Sequence, residues 1–593
     1  MGEVLLKECI EVFKKELNSK GERLLLDGYM PAEGTYIIVT EENGNFIIKD
    51  ENIIEIKYDN KTKEPINSEI ELNRVRAKDY NSKLIDMNKP IDSKKIIHSN
   101  NYLSFFIKKD KFPTKDGEEK KLSVDVIEGY YSNLINPYLK YKSGKPKEIY
   151  KSIEDSIGEV NINEVNKIKG WIIENIFDLG KVYSGKNYLK IFFDYPIEDY
   201  IRENKRYVIP NIYNKNDYNF KVDDIVYGLP NDNMGLNSKK PYLENKSRKM
   251  SIPNLVNTED VLIQRKFFDY LMNFATEGNV NIYIGDKIYA RKNGELPPDN
   301  DFYGDFMRIK KGKELEIIAF DKIVGYKEEL AKKVDYKNLL GVNIIINEDE
   351  VKHNEYGGKK ELQRLISEVF FSKYLINNYF TEAKDISLKD SNVKKNLLIA
   401  REGIFNWLYK GDSNGINKLL DKVSMNLIKG SLELGNINKA NKQFNLRWAL
   451  KGYFEGGKDM AIIIKDIKDI LRVKMNAKED VYIENDDEYC FAVGQLAYYF
   501  IKQSKAYKKP QFLINNLVNT KNNDLVKKNL KQLYKKYNYK EEMNTLKVRN
   551  LYSMILGYEL EGSLNDDMIL AGFLSHSLFY EIKESEVIVG GDK

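Results

Sequence analysis

The sequence predicts an α+β fold, with a β-rich mixed α/β body at the N-terminus followed by a large all-helical bundle at the C-terminus. Before about residue 358, short apolar runs are bounded by Gly, Asn and Pro, which is typical of strands and turns. After residue 359, apolar residues recur at helical spacing and Pro510 is the only proline. A chain of 593 residues is long enough for about two to four domains. We therefore expect domains at 1–250, 251–358 and 359–593.

Local patterns predict the elements of the N-terminal body. Residues 2–18 carry apolar side chains on one side of a helix. The segment EENGN, at 41–45, contains an Asn-Gly pair and therefore predicts a hairpin turn. Helical spacing returns over 126–180, whereas 203–224 is rich in Asn, Lys and Tyr and predicts an irregular segment. The predicted strands lie at 35–40, 45–50, 53–58, 102–107 and 186–195.

A second β-rich unit precedes the helical part of the chain. A helix is predicted at 259–277, and strands are predicted within 281–292, 302–310 and 314–320. Paired glycines just before residue 359 mark the expected domain boundary. The predicted helices beyond it are 359–385, 388–410, 414–430, 436–455, 459–474, 488–505, 511–518, 522–537, 541–558 and 565–583.

Composition limits the classes of protein to which the chain can belong. Apolar residues make up 42% and charged residues 31%, as in soluble globular proteins, and no run approaches 18 apolar residues. Cys9 and Cys490 form no CxxC motif, so we expect reduced thiols in the cytoplasm and no thiolate metal site. The net charge of +5 is small for this length. Any contact with nucleic acid must therefore come from local basic patches.

The segment HSNNYLSFFIKK, at 98–109, combines amides and lysines with a predicted strand. Amide side chains can hydrogen-bond to base edges, and ammonium groups can neutralise phosphates. The alternative is a polar surface turn before a core strand. The candidate nucleic-acid-binding residues here are Ser99, Asn100, Asn101, Lys108 and Lys109.

A second candidate segment is the loop at 227–249, YGLPNDNMGLNSKKPYLENKSRK. Its glycines allow the backbone to approach a phosphate closely, and its lysines would neutralise the charge. A flexible, solvated loop is the alternative. The candidate residues are Asn237, Lys239, Lys240, Lys246, Arg248 and Lys249. Just before this loop, Tyr207, Tyr213 and Tyr218 would either stack on unpaired bases or anchor the chain.

Lysines recur at three- and four-residue steps near the C-terminus. This spacing places several of them on one face of a predicted helix, where they would form a track for single-stranded DNA. An ordinary solvated helix face is the alternative. The candidate residues are Lys527, Lys528, Lys531 and Lys535.

Three segments resemble the large subunit of the type I-B CRISPR interference complex, Cascade. They are KLIDMNKPID with HSNNYLSFFIKK, the 227–249 loop, and DFYGDFMRIKKGKELEIIAFDKI at 301–323. Residues from about 475 to 593 resemble a Cascade small subunit. The resemblance implies a non-catalytic, DNA- and RNA-binding subunit in antiviral defence. It implies that the protein recognises a protospacer-adjacent motif and binds DNA targets under crRNA guidance. The implied partners are crRNA, double-stranded target DNA and its displaced single strand, Cascade backbone and small subunits, and the CRISPR helicase–nuclease.

Sequence motifs for catalysis are sparse. The three histidines are scattered, no GxxxxGK[ST] or GxGxxG motif occurs, and we expect no cofactor and no metal. The alternative function is a metal-dependent nuclease acting on DNA or RNA through Asp299 and Glu316, since carboxylates bind Mg²⁺. A purely structural subunit that contacts only other proteins is a third possibility.

Overall fold

The protein consists of two compact units in the computed structural model. The first unit contains 1–293 and 304–322, and the second contains 294–303 and 323–593. The predicted boundaries at 250 and 358 stay predictions. The structure describes residues 2–61, 64–114, 121–213, 216, 219–223, 225–230, 255–312, 315–342, 345–346, 349–350, 353–456, 460–506, 509–538 and 544–581.

The first unit is built on a mixed four-stranded sheet. Its strands are β1 (Gly34–Glu42), β2 (Asn45–Ile56), β3 (Ser104–Lys108) and β4 (Tyr188–Phe193), in the order β2-β1-β4-β3. β1 pairs antiparallel with β2 and parallel with β4, and β3 pairs antiparallel with β4. The helices that share its apolar core are α3 (Glu69–Tyr80), α4 (Val124–Ile135), α6 (Ile162–Val182) and α7 (Ile197–Asn211). Helix α5 (Gly144–Ile157) packs against α7.

The hairpin predicted at EENGN is confirmed. Asn43 and Gly44 both have positive φ, at 50° and 82°, which is what a tight turn between twisted antiparallel strands requires. Glu42 pairs with Asn45 across the turn. The second strand differs from the prediction, because 45–56 forms one continuous strand whose register against β1 shifts between Ile37 and Val39.

A second sheet in the first unit packs against helices from both ends of that unit. The elements are α1 (Gly2–Lys20), α2 (Arg23–Leu26), α8 (Thr258–Thr276), β8 (Asn279–Ile284), β9 (Ile288–Lys292), β10 (Gly304–Lys311) and β11 (Leu315–Ile323). The order of the strands is β11-β10-β8-β9. Helix α1 forms where it was predicted, and the ring of its Phe13 lies 5.4 Å from the rings of Phe267 and Tyr270 of α8, tilted against both. Short strands β5 (Phe220–Val222), β6 (Ile225–Gly228) and β7 (Val256–Asn257) form a separate sheet.

The prediction of an irregular segment from residue 203 is wrong up to residue 211, because α7 covers it. Tyr207 and Tyr213 are 2% and 1% exposed. Tyr207 donates its hydroxyl to Lys89 O at 2.8 Å, and Tyr213 donates to Val226 O at 3.1 Å. Both rings therefore anchor the chain, while Tyr218 lies outside the described residues.

The second unit is a helical bundle preceded by a strand pair, which confirms the predicted α+β fold class. The antiparallel pair of β12 (Glu329–Lys337) and β15 (His353–Gly358) was not predicted, and β13 (Ile345–Ile346) pairs with β14 (Asp349–Glu350). The helices are α9 (Lys359–Phe371), α10 (Ser391–Lys410), α11 (Ile416–Glu433), α12 (Ile437–Glu455), α13 (Met460–Asn476), α14 (Asp486–Lys502), α15 (Asn515–Val518), α16 (Asn523–Tyr537), α17 (Leu546–Gly557) and α18 (Asp566–Leu574).

Most of these helices match the predicted positions, and the apolar sides of α11 to α18 share one core. The predicted 359–385 helix ends early. Ser372 and Lys373 have φ of 52° and 70°, and the left-handed backbone at Ser372 closes α9. Among the described residues, no helix is both long enough and apolar enough to cross a membrane.

Lys359 provides a test of buried charge at the start of this bundle. Its side chain is 5% exposed, its ammonium lies 4.8 Å from the ring of Tyr326, and burial lowers its pKa to about 8. At pH 7 the folded protein therefore holds a cation that the unfolded chain hydrates better. We expect Lys359→Met to raise the free energy of unfolding by about 1–3 kcal/mol at pH 7.

The pH dependence distinguishes this effect from better packing. In the unfolded chain this lysine titrates near the ordinary pKa of 10.5. The wild type therefore gains stability as the pH rises from 8 to 10.5, and the difference in unfolding free energy between Lys359→Met and the wild type becomes smaller. Urea unfolding at pH 7 and at pH 10 measures the unfolding free energies of the wild type and of Lys359→Met. The neighbouring exposed Lys360→Met is the control and should change little. If the variant and the wild type differ by the same free energy at pH 7 and at pH 10, the prediction is contradicted.

Candidate nucleic-acid interface

The Ser-Asn-Asn segment that the sequence singles out lies inside the first unit. Ser99, Asn100 and Asn101 are 0%, 1% and 1% exposed. The backbone N–H of Asn100 donates to Ser82 O at 2.8 Å, which ties the segment to the turn after α3. The segment enters β3 from within the fold, so its polar side chains face protein groups.

Hydrogen bonds within the protein occupy both amides. The Asn100 Nδ2 donates to Lys83 O and to Asn204 Oδ1, both at 2.8 Å. The Asn101 Nδ2 donates to Asn100 Oδ1 at 2.9 Å, and Asn101 Oδ1 accepts from the Leu103 N–H at 3.0 Å. These bonds satisfy polar groups that would otherwise be buried without partners.

Ser99 belongs to the same network. Its hydroxyl lies 2.8 Å from the hydroxyl of Tyr130, which donates to Asn101 O at 2.8 Å. This corrects the role expected for Ser99, Asn100 and Asn101, because in this conformation they present no polar edge to a base or a phosphate. Their amides hold a buried turn in place, and the Ser-Asn-Asn pattern alone could not distinguish that role from recognition.

The two lysines at the end of β3, Lys108 and Lys109, differ from each other. The Lys109 side chain is 7% exposed and donates to Thr35 Oγ1 at 2.9 Å, and burial lowers its pKa. Lys109 is therefore committed to the fold. Lys108 is half-buried, with its ammonium 5.8 Å from the ring of Tyr188, and it stays a candidate for phosphate contact.

A cleft of about 1060 Å³ adjoins the end of β3. Two lysines that the sequence did not single out, Lys121 and Lys181, line it. Lys181 pairs with Asp178 at 2.8 Å, and Lys121 donates to Asp110 O at 2.6 Å. Since the two lysines lie far apart in the sequence, only the folded chain brings them together.

The C-terminal lysines lie on α16 in the second unit. Lys528, Lys531 and Lys535 are exposed, and their spacing places them on neighbouring positions of one face. The buried side of the helix carries Val526, Leu530, Leu533 and Tyr537. The exposed lysines and the buried apolar residues therefore lie on opposite sides of α16.

Lys527 does not share that exposed face. Its side chain is 13% exposed, and its ammonium pairs with Glu559 at 3.0 Å. Glu559, which follows α17, therefore holds Lys527 away from the face that the other three lysines share, and its contact with a phosphate stays a prediction. Among the predicted lysines of α16, Lys528, Lys531 and Lys535 are the exposed ones.

The loop prediction falls largely outside the described residues. Asn237, Lys239, Lys240, Lys246, Arg248 and Lys249 all lie between residues 231 and 254, which the structure does not describe. Their contact with nucleic acid stays a prediction.

The alternative of a metal-dependent nuclease gains no support from side-chain geometry. Asp299 is exposed, and Glu316 is half-buried on β11. Across the described ranges, no group of three or more His, Cys, Asp or Glu side chains is placed to hold a metal ion. Cys9 and Cys490 are both buried and carry free thiols.

Comparison of the chain with models of protein families, with curated proteins and with solved structures finds no match.

Proposed function

We propose that this chain is the non-catalytic large subunit of a type I-B CRISPR interference complex. In this role it recognises a protospacer-adjacent motif, binds DNA under crRNA guidance and stabilises the R-loop. It works in the cytoplasm with backbone and small subunits and recruits the helicase–nuclease that cleaves the target. The three sequence segments that resemble this family support the proposal.

The observation that carries the nucleic-acid part is the exposed row of Lys528, Lys531 and Lys535 on α16. A row of ammonium groups binds a phosphate backbone by displacing counterions, without reading sequence. This fits a protein that leaves sequence selection to guide pairing and contributes backbone contacts to the displaced strand. The three lysines form a local basic patch, and a chain with a net charge of only +5 needs such a patch to bind nucleic acid.

Charge reversal on α16 tests this surface. In the variant Lys528→Glu, Lys531→Glu, Lys535→Glu, binding to single-stranded DNA should weaken roughly tenfold, and the log–log salt slope should become shallower by about 2. Fluorescence anisotropy of a labelled oligonucleotide, titrated at several KCl concentrations, gives both quantities. The matched control reverses Lys395, Lys418 and Lys465, three exposed lysines on different helices of the same unit. Equal losses in both variants would show that net charge alone drives binding.

Assembly with guide RNA is a separate test. A tagged chain purified from its native cells should carry small RNAs that share one constant 5′ segment and differ elsewhere, as crRNAs do. Sequencing of the co-purified RNA measures this directly. Recovery of RNA without a shared segment, or of no RNA, would contradict the proposed complex while leaving the α16 result standing.

A further inference from the structure

A pocket in the second unit combines unpartnered buried donors with lysines. It has a volume of about 300 Å³ and lies between α12 and β12. Helix α12 contributes Asn445 and Trp448, which are one turn apart on the same face. Strand β12 contributes Lys333, Asp335 and Lys337, whose two-residue spacing places them on one side of the strand.

Two nitrogen atoms in this lining lack acceptors. Asn445 is 1% exposed, and its Oδ1 accepts from the Leu339 N–H at 3.0 Å, while its Nδ2 has no hydrogen-bond partner among the described residues. The indole Nε1 of Trp448 is likewise buried and without an acceptor in the described part of the chain. Buried donors are rarely left unpaired, so two on one pocket wall point to an acceptor-bearing ligand.

Ammonium and carboxylate groups both line the pocket: among the described residues, three lysines together with Asp335 and Glu455. Lys333 pairs with Glu355 at 2.8 Å and Lys337 with Asp335 at 2.9 Å, so an anion would share these ammonium groups with the carboxylates. Lys451 lies 4.9 Å from the Trp448 ring and is held in place by Asp567 at 2.9 Å. The described lining contains no arginine, whose planar guanidinium group is the usual bidentate partner of a carboxylate. Lysine ammonium groups, in contrast, bind phosphate as point charges.

We propose that this pocket binds a phosphate group, with Asn445 Nδ2 and Trp448 Nε1 as hydrogen-bond donors and lysines from β12 and α12 supplying charge. Two sources share this chemistry: a small phosphorylated molecule, and a phosphate on a nucleic-acid strand. The proposal does not depend on the function proposed above, because it rests on the pocket's own donors.

The indole N–H resonance of Trp448 is a direct reporter. In a TROSY spectrum of the full chain, sodium phosphate should shift this resonance saturably, whereas sodium chloride at equal ionic strength should not. Trp448→Phe assigns the peak. Trp171 is the internal control, because its Nε1 already donates to Phe46 O at 3.2 Å and should not move. Equal responses of Trp448 to phosphate and chloride would overturn the proposal.

Two variants and one competitor sharpen the test. Asn445→Asp keeps the acceptor for Leu339 but replaces the donor with a negative oxygen, so phosphate affinity should fall at least tenfold. If that variant does not fold, Lys337→Met should weaken binding severalfold, and the exposed Lys360→Met should not. An unchanged affinity in Lys337→Met would count against the site. A single-stranded oligonucleotide that displaces phosphate would identify a strand as the source, and one that does not would identify a small molecule.

Discussion

The Lys190→Met variant is expected to lose about 3–5 kcal/mol of unfolding free energy, because it leaves a carboxylate buried without its cation. Lys190 on β4 and Asp79 at the end of α3 are 7% and 0% exposed at their side chains, and their charged atoms lie 2.5 Å apart. The Lys190 ammonium also lies 4.5 Å from the ring of Phe106. The pair therefore joins the central sheet of the first unit to the helix beside it.

A double variant separates the lost ion pair from lost packing. In Asp79→Asn with Lys190→Met, no net charge stays buried at this pair. Tyr29, which donates its hydroxyl to Asp79 Oδ2 in the wild type, can still donate to the side-chain oxygen of the introduced asparagine. The double variant should therefore be more stable than Lys190→Met alone. Urea unfolding followed by circular dichroism measures both. The exposed Lys186→Met is the control, and a loss under about 1 kcal/mol in Lys190→Met would contradict the argument.

The sequence predicted those elements whose signal is local. Asn43-Gly44 specifies its own turn, and most helices of the second unit follow from apolar spacing in a stretch where Pro510 is the only proline. Strands β12 and β15 were missed because most of their side chains are polar or charged, and only Val334 and Tyr336 are fully buried on β12. A strand with so few core residues carries little periodic signal.

The candidate site was predicted less well than the fold, for a physical reason. Amides and lysines have the same appearance in a sequence whether they bind a ligand or satisfy the protein's own groups. Asn100 and Asn101 bond to Lys83 and to each other, and Lys527 pairs with Glu559, 32 residues away. Such partners become neighbours only in the tertiary structure, whereas the Lys528, Lys531 and Lys535 face follows from helix geometry alone.

The second unit depends on a close approach of two helices that a single methyl group would prevent. A Cβ on Gly494 of α14 would lie 2.1 Å from the backbone oxygen of Ile569 on α18, and a Cβ on Gly572 would lie 2.1 Å from the backbone oxygen of Phe491. Backbone atoms cannot rotate away as a flexible side chain can. The helices would have to separate, which opens gaps in the core that surrounds them.

We therefore expect Gly494→Ala to destabilise the second unit by about 2–4 kcal/mol, despite the better helix propensity of alanine. The matched control is Gly452→Ala in α12, where an added Cβ meets no heavy atom within 4 Å and propensity should stabilise by about 0.5–1 kcal/mol. Thermal and urea melts of both variants give the two free energies. Because the substitutions are chemically identical, their opposite signs would isolate the helix contact, and a stabilising Gly494→Ala would show that α14 and α18 do not pack through this glycine.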